Sequence, residues 1–192
     1  LSLGTNVVLG PGVNIKRDPR CGRNFEYYSE DPLLAGMMAR SYIVGVQSEH
    51  VGTCLKHFCC NNKEDNRMFS DSIVSERALR EIYLKGFEIA VKTAQPWLLM
   101  SSYNLLNGLF TSTSYELLTG ILREEWGYQG AVTSDWGNSA LEVFEVKAGN
   151  DIKMPFGYPQ ALQEAVEFNN LRREDLLNVA RHIMELLLKL GD

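Results

Sequence analysis

Ala131-Val132-Thr133-Ser134-Asp135-Trp136-Gly137 runs from small and β-branched side chains into a polar pair, an aromatic ring and a glycine. A short buried strand that ends in a loop reads this way. Other runs along the chain end alike. Thr53–Phe58 contains Lys56-His57 near its end, and Trp97–Ser102 is followed by Tyr103-Asn104. With Asn6–Leu9 and Asp151–Met154 these make five candidate strands.

Between them lie segments with helical periodicity: Pro32–Glu49, Ser75–Thr93, Ser114–Glu125, Ser139–Val146, Pro159–Phe168 and Arg173–Leu190. Ser75 is suited to cap its helix, and apolar Leu79, Ile82, Tyr83, Phe87 and Ile89 follow at roughly helical spacing. Alternating strands and helices predict a parallel sheet covered by helices. A five-stranded doubly wound sheet is one solution. Its nucleotide-binding version lacks support, because Gly10-Pro11-Gly12 has neither the third glycine nor the following helix of a G-x-G-x-x-G turn. The polar residues instead collect at the C-terminal ends of successive strands, which is where a β/α barrel builds its site. The predicted fold is therefore an α/β barrel of the (β/α)8 TIM type, incomplete at about five units, with its early strands missing.

The chain has 192 residues, 45% hydrophobic and 22% charged, enough for one domain with a sizeable core. A net charge of −5 with scattered basic residues speaks against nucleic acid or an anionic membrane as partner. No apolar run is long enough to span a bilayer. Cys21, Cys54, Cys59 and Cys60 lack zinc-ligand spacing, and Cys59 and Cys60 on a strand would face opposite ways. Buried thiols, a reducing compartment and a cytoplasmic location are the expectation, with secretion left open because Leu1-Ser2-Leu3 does not resemble a biological start.

Several motifs in order resemble glycoside hydrolase family 3. They are Leu9-Gly10-Pro11-Gly12-Val13-Asn14-Ile15, Arg17-Asp18-Pro19, and the run Gly22-Arg23-Asn24-Phe25-Glu26-Tyr27-Tyr28-Ser29-Glu30-Asp31-Pro32. Lys56-His57-Phe58 with Asn61-Asn62-Lys63-Glu64-Asp65-Asn66-Arg67, Met100-Ser101-Ser102-Tyr103-Asn104, Ser134-Asp135-Trp136-Gly137, Ala148-Gly149-Asn150-Asp151 and Met154-Pro155 continue the series. The resemblance covers residues 5 to 190 and implies a retaining β-glucosidase acting by double displacement, with no metal or organic cofactor.

By resemblance Asp135 is the catalytic nucleophile; an Asp capping the next helix is the alternative from the residues alone. Lys56, His57, Arg67 and Arg23 are implied to bind sugar hydroxyls, Tyr103 to lie near the nucleophile, and Trp136 to offer a flat face to the sugar. His57 as acid/base, an Arg67 ion pair with Glu64 or Asp65, and core packing of Trp136 are the competing readings. Arg17, Glu26, Glu30 and Asp31 are expected in structural roles. The implied substrate is a β-glucoside or short β-gluco-oligosaccharide; a β-xylosidase or a non-catalytic sugar-binding chain is the alternative.

Nothing in the chain matches the family's early D-G-P-type Asp, and no acid/base Glu is evident. The resemblance places that Glu in an α/β-sandwich domain following the barrel, so residues 1–190 are expected to be a partial catalytic barrel and 191–192 the start of a linker. A homo-oligomer is left open. Leu141-Glu142 stands where the family commonly has an Asp-Arg pair, and Lys153 where it commonly has Glu.

Overall fold

A computed structural model describes residues 4–191. In chain order the elements are β1 (Val7–Val8), α1 (Pro32–Gln47), β2 (Gly52–Phe58), β3 (Asp71–Ser72), α2 (Glu76–Ala78), α3 (Lys85–Ala94), β4 (Leu98–Ser101), β5 (Leu105–Leu106) and β6 (Leu109–Phe110). After these come β7 (Ala131–Thr133), α4 (Glu142–Ala148), α5 (Pro159–Glu167) and α6 (Arg173–Leu190). Glu116–Glu125 is wound as a π-helix, and a π turn at Leu79–Tyr83 joins α2 to α3.

The main sheet runs β1-β2-β4-β7, every pair parallel, with Val7 beside Gly52, Cys54 beside Leu98, and Leu98 beside Ala131. The architecture is α/β with a parallel sheet, as expected, and among the described residues the sheet does not reach the eight strands of a closed barrel. The strand expected at Asp151–Met154 shrinks to one parallel bridge, Thr133 to Ile152. The cause is local. The Asp151 carboxylate takes the Val132 N–H at 2.7 Å, so a side chain fills a donor that a strand carbonyl would otherwise use.

Phe58 and Leu99 of the sheet, Phe87 of α3 and Trp126 form the centre of the main core, with Phe58 edge-on to both aromatic rings at 5.1 and 5.9 Å. Close approach of α1 to α3 depends on Gly36, where an added Cβ would meet Ile89 at 2.9 Å and the Gly86 carbonyl oxygen at 3.0 Å. Ser75 caps its helix as expected, accepting from the Ala78 N–H at 3.3 Å. The apolar face beyond it does not continue as predicted. Leu84 N–H bonds the Leu79 carbonyl five residues back, and the extra residue in that turn rotates the face so that Ile82 is exposed.

Cys59 and Cys60 lie past the end of β2 and, like Cys54, are buried free thiols, as expected. Other expectations need correction. The helix expected at Ser139–Val146 is Glu142–Ala148, since the Ala140 carbonyl is held by Lys153 Nζ at 2.6 Å and Gly149 ends the helix in the left-handed region. Leu105–Phe110 forms a hairpin that the sequence reading did not include, turning at Asn107-Gly108 with positive φ at both residues. Helix α6 ends at Leu190; of the expected linker, Asp192 lies outside the described residues, as do Leu1, Ser2 and Leu3.

Candidate active site

Strand β7 is fully buried and stops at Thr133, which brings Asp135 out at the C-terminal edge of the sheet. The loop is fixed from the neighbouring segment. Ser134 N–H donates to the Ile152 carbonyl at 2.8 Å, Met154 N–H to Ser134 Oγ at 2.9 Å, and Gly137 N–H to the Met154 carbonyl at 2.8 Å. Asp135 itself is 7% exposed. Its Oδ1 accepts the Trp136 N–H at 2.7 Å, whereas Oδ2 is buried without a hydrogen-bond partner. Burial raises this carboxyl above its ordinary value; the Trp136 N–H, the Tyr103 hydroxyl and the Arg23 and Arg67 guanidinium groups oppose that shift.

His57 approaches from β2, with Nε2 3.8 Å from Asp135 Oδ2. The strand breaks register between Leu55 and Phe58, and there the Asn14 amide clasps the His57 peptide, accepting its N–H at 2.8 Å and donating to its carbonyl at 2.9 Å. The imidazole is buried, which together with the charges of Arg23, Lys56 and Arg67 holds its pKa well below the ordinary value. It is therefore neutral.

Glu26 lies between two of the predicted sugar-binding cations, 2.5 Å from Arg23 Nε and 3.0 Å from Lys56 Nζ. Burial pushes its carboxyl up, but the hydrogen bonds from Arg23 and Lys56 outweigh this and leave it below the ordinary carboxylate value. Arg67 pairs with Glu64 Oε2 at 2.8 Å and also stacks over the Tyr103 ring, 4.8 Å from its centroid. The ion pair considered from sequence is thus present without removing Arg67 from the site. The Tyr103 hydroxyl donates to the Trp136 carbonyl at 2.5 Å, and burial with the Asp135 charge pushes its pKa up to about 12. Trp136 is 46% exposed, so core packing does not describe it.

All seven predicted site residues, Arg23, Lys56, His57, Arg67, Tyr103, Asp135 and Trp136, are linked by these contacts and charges around Asp135. Asp31 caps α1, accepting from Leu33 N–H at 2.8 Å. Arg17 points elsewhere, onto Tyr83. A cavity of about 670 Å³ is lined by Arg17, Arg20, Asn61 and Asn104 among others, and Asp135 does not line it.

Sequence reasoning assigned no role to Asn14, Tyr27, Asn61 or Asn138. Asn14 and Tyr27 bond His57 directly and Asn61 bonds the Tyr27 hydroxyl; only their place within the resembling motifs marked them. Lys153 binds the Asn138 amide oxygen, the Ala140 carbonyl at 2.6 Å and Glu145 Oε2 at 2.9 Å. The departure at this position therefore builds a clamp behind the loop that follows Asp135.

A segment of parallel β/α sheet with its polar groups at the C-terminal edge of the strands is the β/α-barrel class of enzyme domain. The family model of the glycosyl hydrolase family 3 N terminal domain matches residues 1–186, and the chain belongs to that family. It is 55% identical over 168 residues to "Beta-glucosidase A" of Butyrivibrio fibrisolvens, covering 88% of this chain and 20% of the relative. It is 47% identical over 184 residues to "Exo-alpha-(1->6)-L-arabinopyranosidase" of Bifidobacterium breve, covering 95% of this chain and 24% of the relative. Among solved structures, β-glucosidase 3B from Thermotoga neapolitana in complex with glucose superposes with a TM-score of 0.94 at 51% identity, covering 97% of this chain and 27% of that one. The chain thus spans about a fifth to a quarter of the length of these curated relatives.

Proposed function

We propose that this chain carries the nucleophile half of a retaining β-glucosidase site, with Asp135 attacking the anomeric carbon of a terminal β-D-glucosyl residue. One observation carries the reading. Asp135 is a buried strand-end carboxylate with one oxygen anchored by a peptide N–H and the other unpartnered. An oxygen held that way is pre-oriented for attack and has no protein bond to break first. Arg23, Lys56 and Arg67 supply donors for sugar hydroxyls, neutral His57 a further polar edge, and Trp136 an exposed aromatic face.

Double displacement needs a second carboxyl about 5–5.5 Å from the nucleophile. Glu26 is held as an anion between two cations and is unsuited to donate a proton. The family resemblance implies that the acid/base comes from an α/β-sandwich domain, and we adopt that assignment. The relatives named β-glucosidase and the glucose-bound neighbour favour a β-glucoside substrate. An α-L-arabinopyranoside is the second reading, because a 47% identical relative is named for that activity.

The test is a 2-deoxy-2-fluoro-β-glucoside given to the full-length polypeptide that contains these residues. A stable adduct on Asp135 is expected, and an adduct on any other carboxylate overturns the assignment. Relative kcat/KM for aryl β-D-glucoside, β-D-xyloside and α-L-arabinopyranoside decides the substrate; a preference for either of the last two overturns the glucoside reading.

A further inference from the structure

His57 has two ring nitrogens, and a neutral imidazole carries its proton on only one of them. Which one decides whether the edge facing Asp135 donates or accepts. Both edges have neighbours. Nδ1 lies 3.0 Å from the Tyr27 hydroxyl oxygen, and Nε2 lies 3.8 Å from Asp135 Oδ2. Tyr27 is 3% exposed and set nearly perpendicular to the imidazole, at 78°. Its hydroxyl has a second neighbour, the Asn61 amide Nδ2 at 3.2 Å, which donates to it.

A phenol hydroxyl has one proton to give. With the Asn61 N–H spent on the phenol oxygen, that proton is directed at the remaining partner, His57 Nδ1, which must then present a lone pair. The opposite edge gives the same answer independently. Asp135 Oδ2 can only accept while ionised, so an N–H at Nε2 faces it favourably and a lone pair there would repel it. At 3.8 Å the contact is too long for a hydrogen bond but still orients the N–H dipole toward the carboxylate.

We propose that Tyr27 is a positioning residue that holds His57 as the Nε2–H tautomer, so that the imidazole presents a donor rather than an acceptor to the Asp135 side of the pocket. This rests on the reading of Asp135 as the nucleophile. The chain of contacts is Asn61 to Tyr27 to His57, with Asn14 locking the His57 peptide so that the ring cannot shift along the strand. Arg23, Lys56 and Arg67 are the charges facing the ring, and all disfavour the imidazolium that would make both edges donors. The pocket consequently offers a sugar hydroxyl a donor at His57 and uses that hydroxyl as an acceptor.

Two measurements test this on the full-length polypeptide that contains these residues. Neutron diffraction after deuterium exchange should show deuterium on His57 Nε2 and none on Nδ1, with the Tyr27 deuteroxyl directed at Nδ1. Deuterium on Nδ1 overturns the proposal. In kinetics, Tyr27→Phe should lower kcat/KM about tenfold, the scale of one buried hydrogen bond. The same change made on a His57→Ala background should have no further effect, because its action passes through the imidazole. Additive losses would assign Tyr27 a purely structural role and overturn it. Full activity of His57→Ala alongside deuterium on Nε2 would instead leave the tautomer standing and remove His57 from the sugar site.

Discussion

The two sides of the site treat charge in opposite ways. On the side built from β2, the segment before α1 and the segment after β2, every predicted sugar-binding cation has a carboxylate partner. Glu26 serves both Arg23 and Lys56, and Glu64 serves Arg67. On the β7 side Asp135 has one peptide N–H and no ion pair at hydrogen-bond distance. Paired cations are held in place and can be pointed at a ligand. An unpaired buried carboxylate is strained instead, and burial raises its pKa. On the proposed reading of Asp135 as nucleophile, stability has been placed in the proposed binding half and withheld from the proposed reacting half, as expected where activity and stability compete for one residue.

The largest expected effect comes from removing the strained group. Asp135→Asn should lower turnover by roughly 10⁴-fold or more, and at neutral pH it should raise the melting temperature. The sign follows from linkage. The folded-state pKa of Asp135 lies above its ordinary value of 3.8, so between those two pH values the folded state holds the proton more tightly than the unfolded state. Stability therefore falls as pH rises through that window, and above it the full penalty remains. Asn carries no such penalty, so its advantage should be full above the raised pKa and vanish as pH falls toward 3.8. Melting curves of both proteins across pH check it; a variant less stable at neutral pH would mean that Asp135 is not the strained member.

The opposite half should respond the other way. Glu26→Gln leaves Arg23 and Lys56, both largely buried, without the anion that separates them. Stability should fall, and kcat/KM should drop roughly 100-fold, mainly through KM, since the cations lose orientation while Asp135 keeps its place. Steady-state kinetics and a melting curve on one preparation suffice. An unchanged KM would show that the cations hold their positions without Glu26 and would erase the contrast between the halves.

The contrast was only partly legible in the sequence. Thr53–Phe58 and Ala131–Ser134 could be read because apolar, β-branched runs bounded by turns have few other uses, and the polar residues after them marked the sheet edge. Asp151–Met154 misled because its periodicity does not reveal a carboxylate that turns back onto the Val132 N–H. Asn107-Gly108 carries a hairpin signal in the sequence, but the two-residue strands on either side of it are too short for their periodicity to show. Site chemistry was legible one residue at a time, as ionisable groups in motifs. Partnership was not. Asn14 meets His57 from 43 residues away and Tyr27 from 30, distances at which local spacing says nothing.

Lys153 offers the smallest expected change in activity and the sharpest test of whether the β7 side needs support from behind. Its ammonium holds Asn138, the Ala140 carbonyl and Glu145, and Asn138 Nδ2 also donates to Glu145 Oε1 at 2.7 Å. These contacts fix the 136–140 loop, which includes Trp136, against α4. Lys153→Met leaves the Glu145 carboxylate, 1% exposed, without its cation, a change that costs about 3–5 kcal/mol at buried pairs. The loop should loosen, and kcat should fall about tenfold because small misplacements near a reacting group are expensive. The two effects separate in a double variant. Adding Glu145→Leu removes the orphaned charge, and an apolar pair of similar volume is often as stable as the ion pair it replaces. Melting temperature should then recover while kcat stays low, since neither Met nor Leu can hold Asn138 or the Ala140 carbonyl. Recovery of both would mean that the loop is held by the Ser134, Gly137 and Met154 backbone bonds alone, and that the reacting half is as self-sufficient as the binding half.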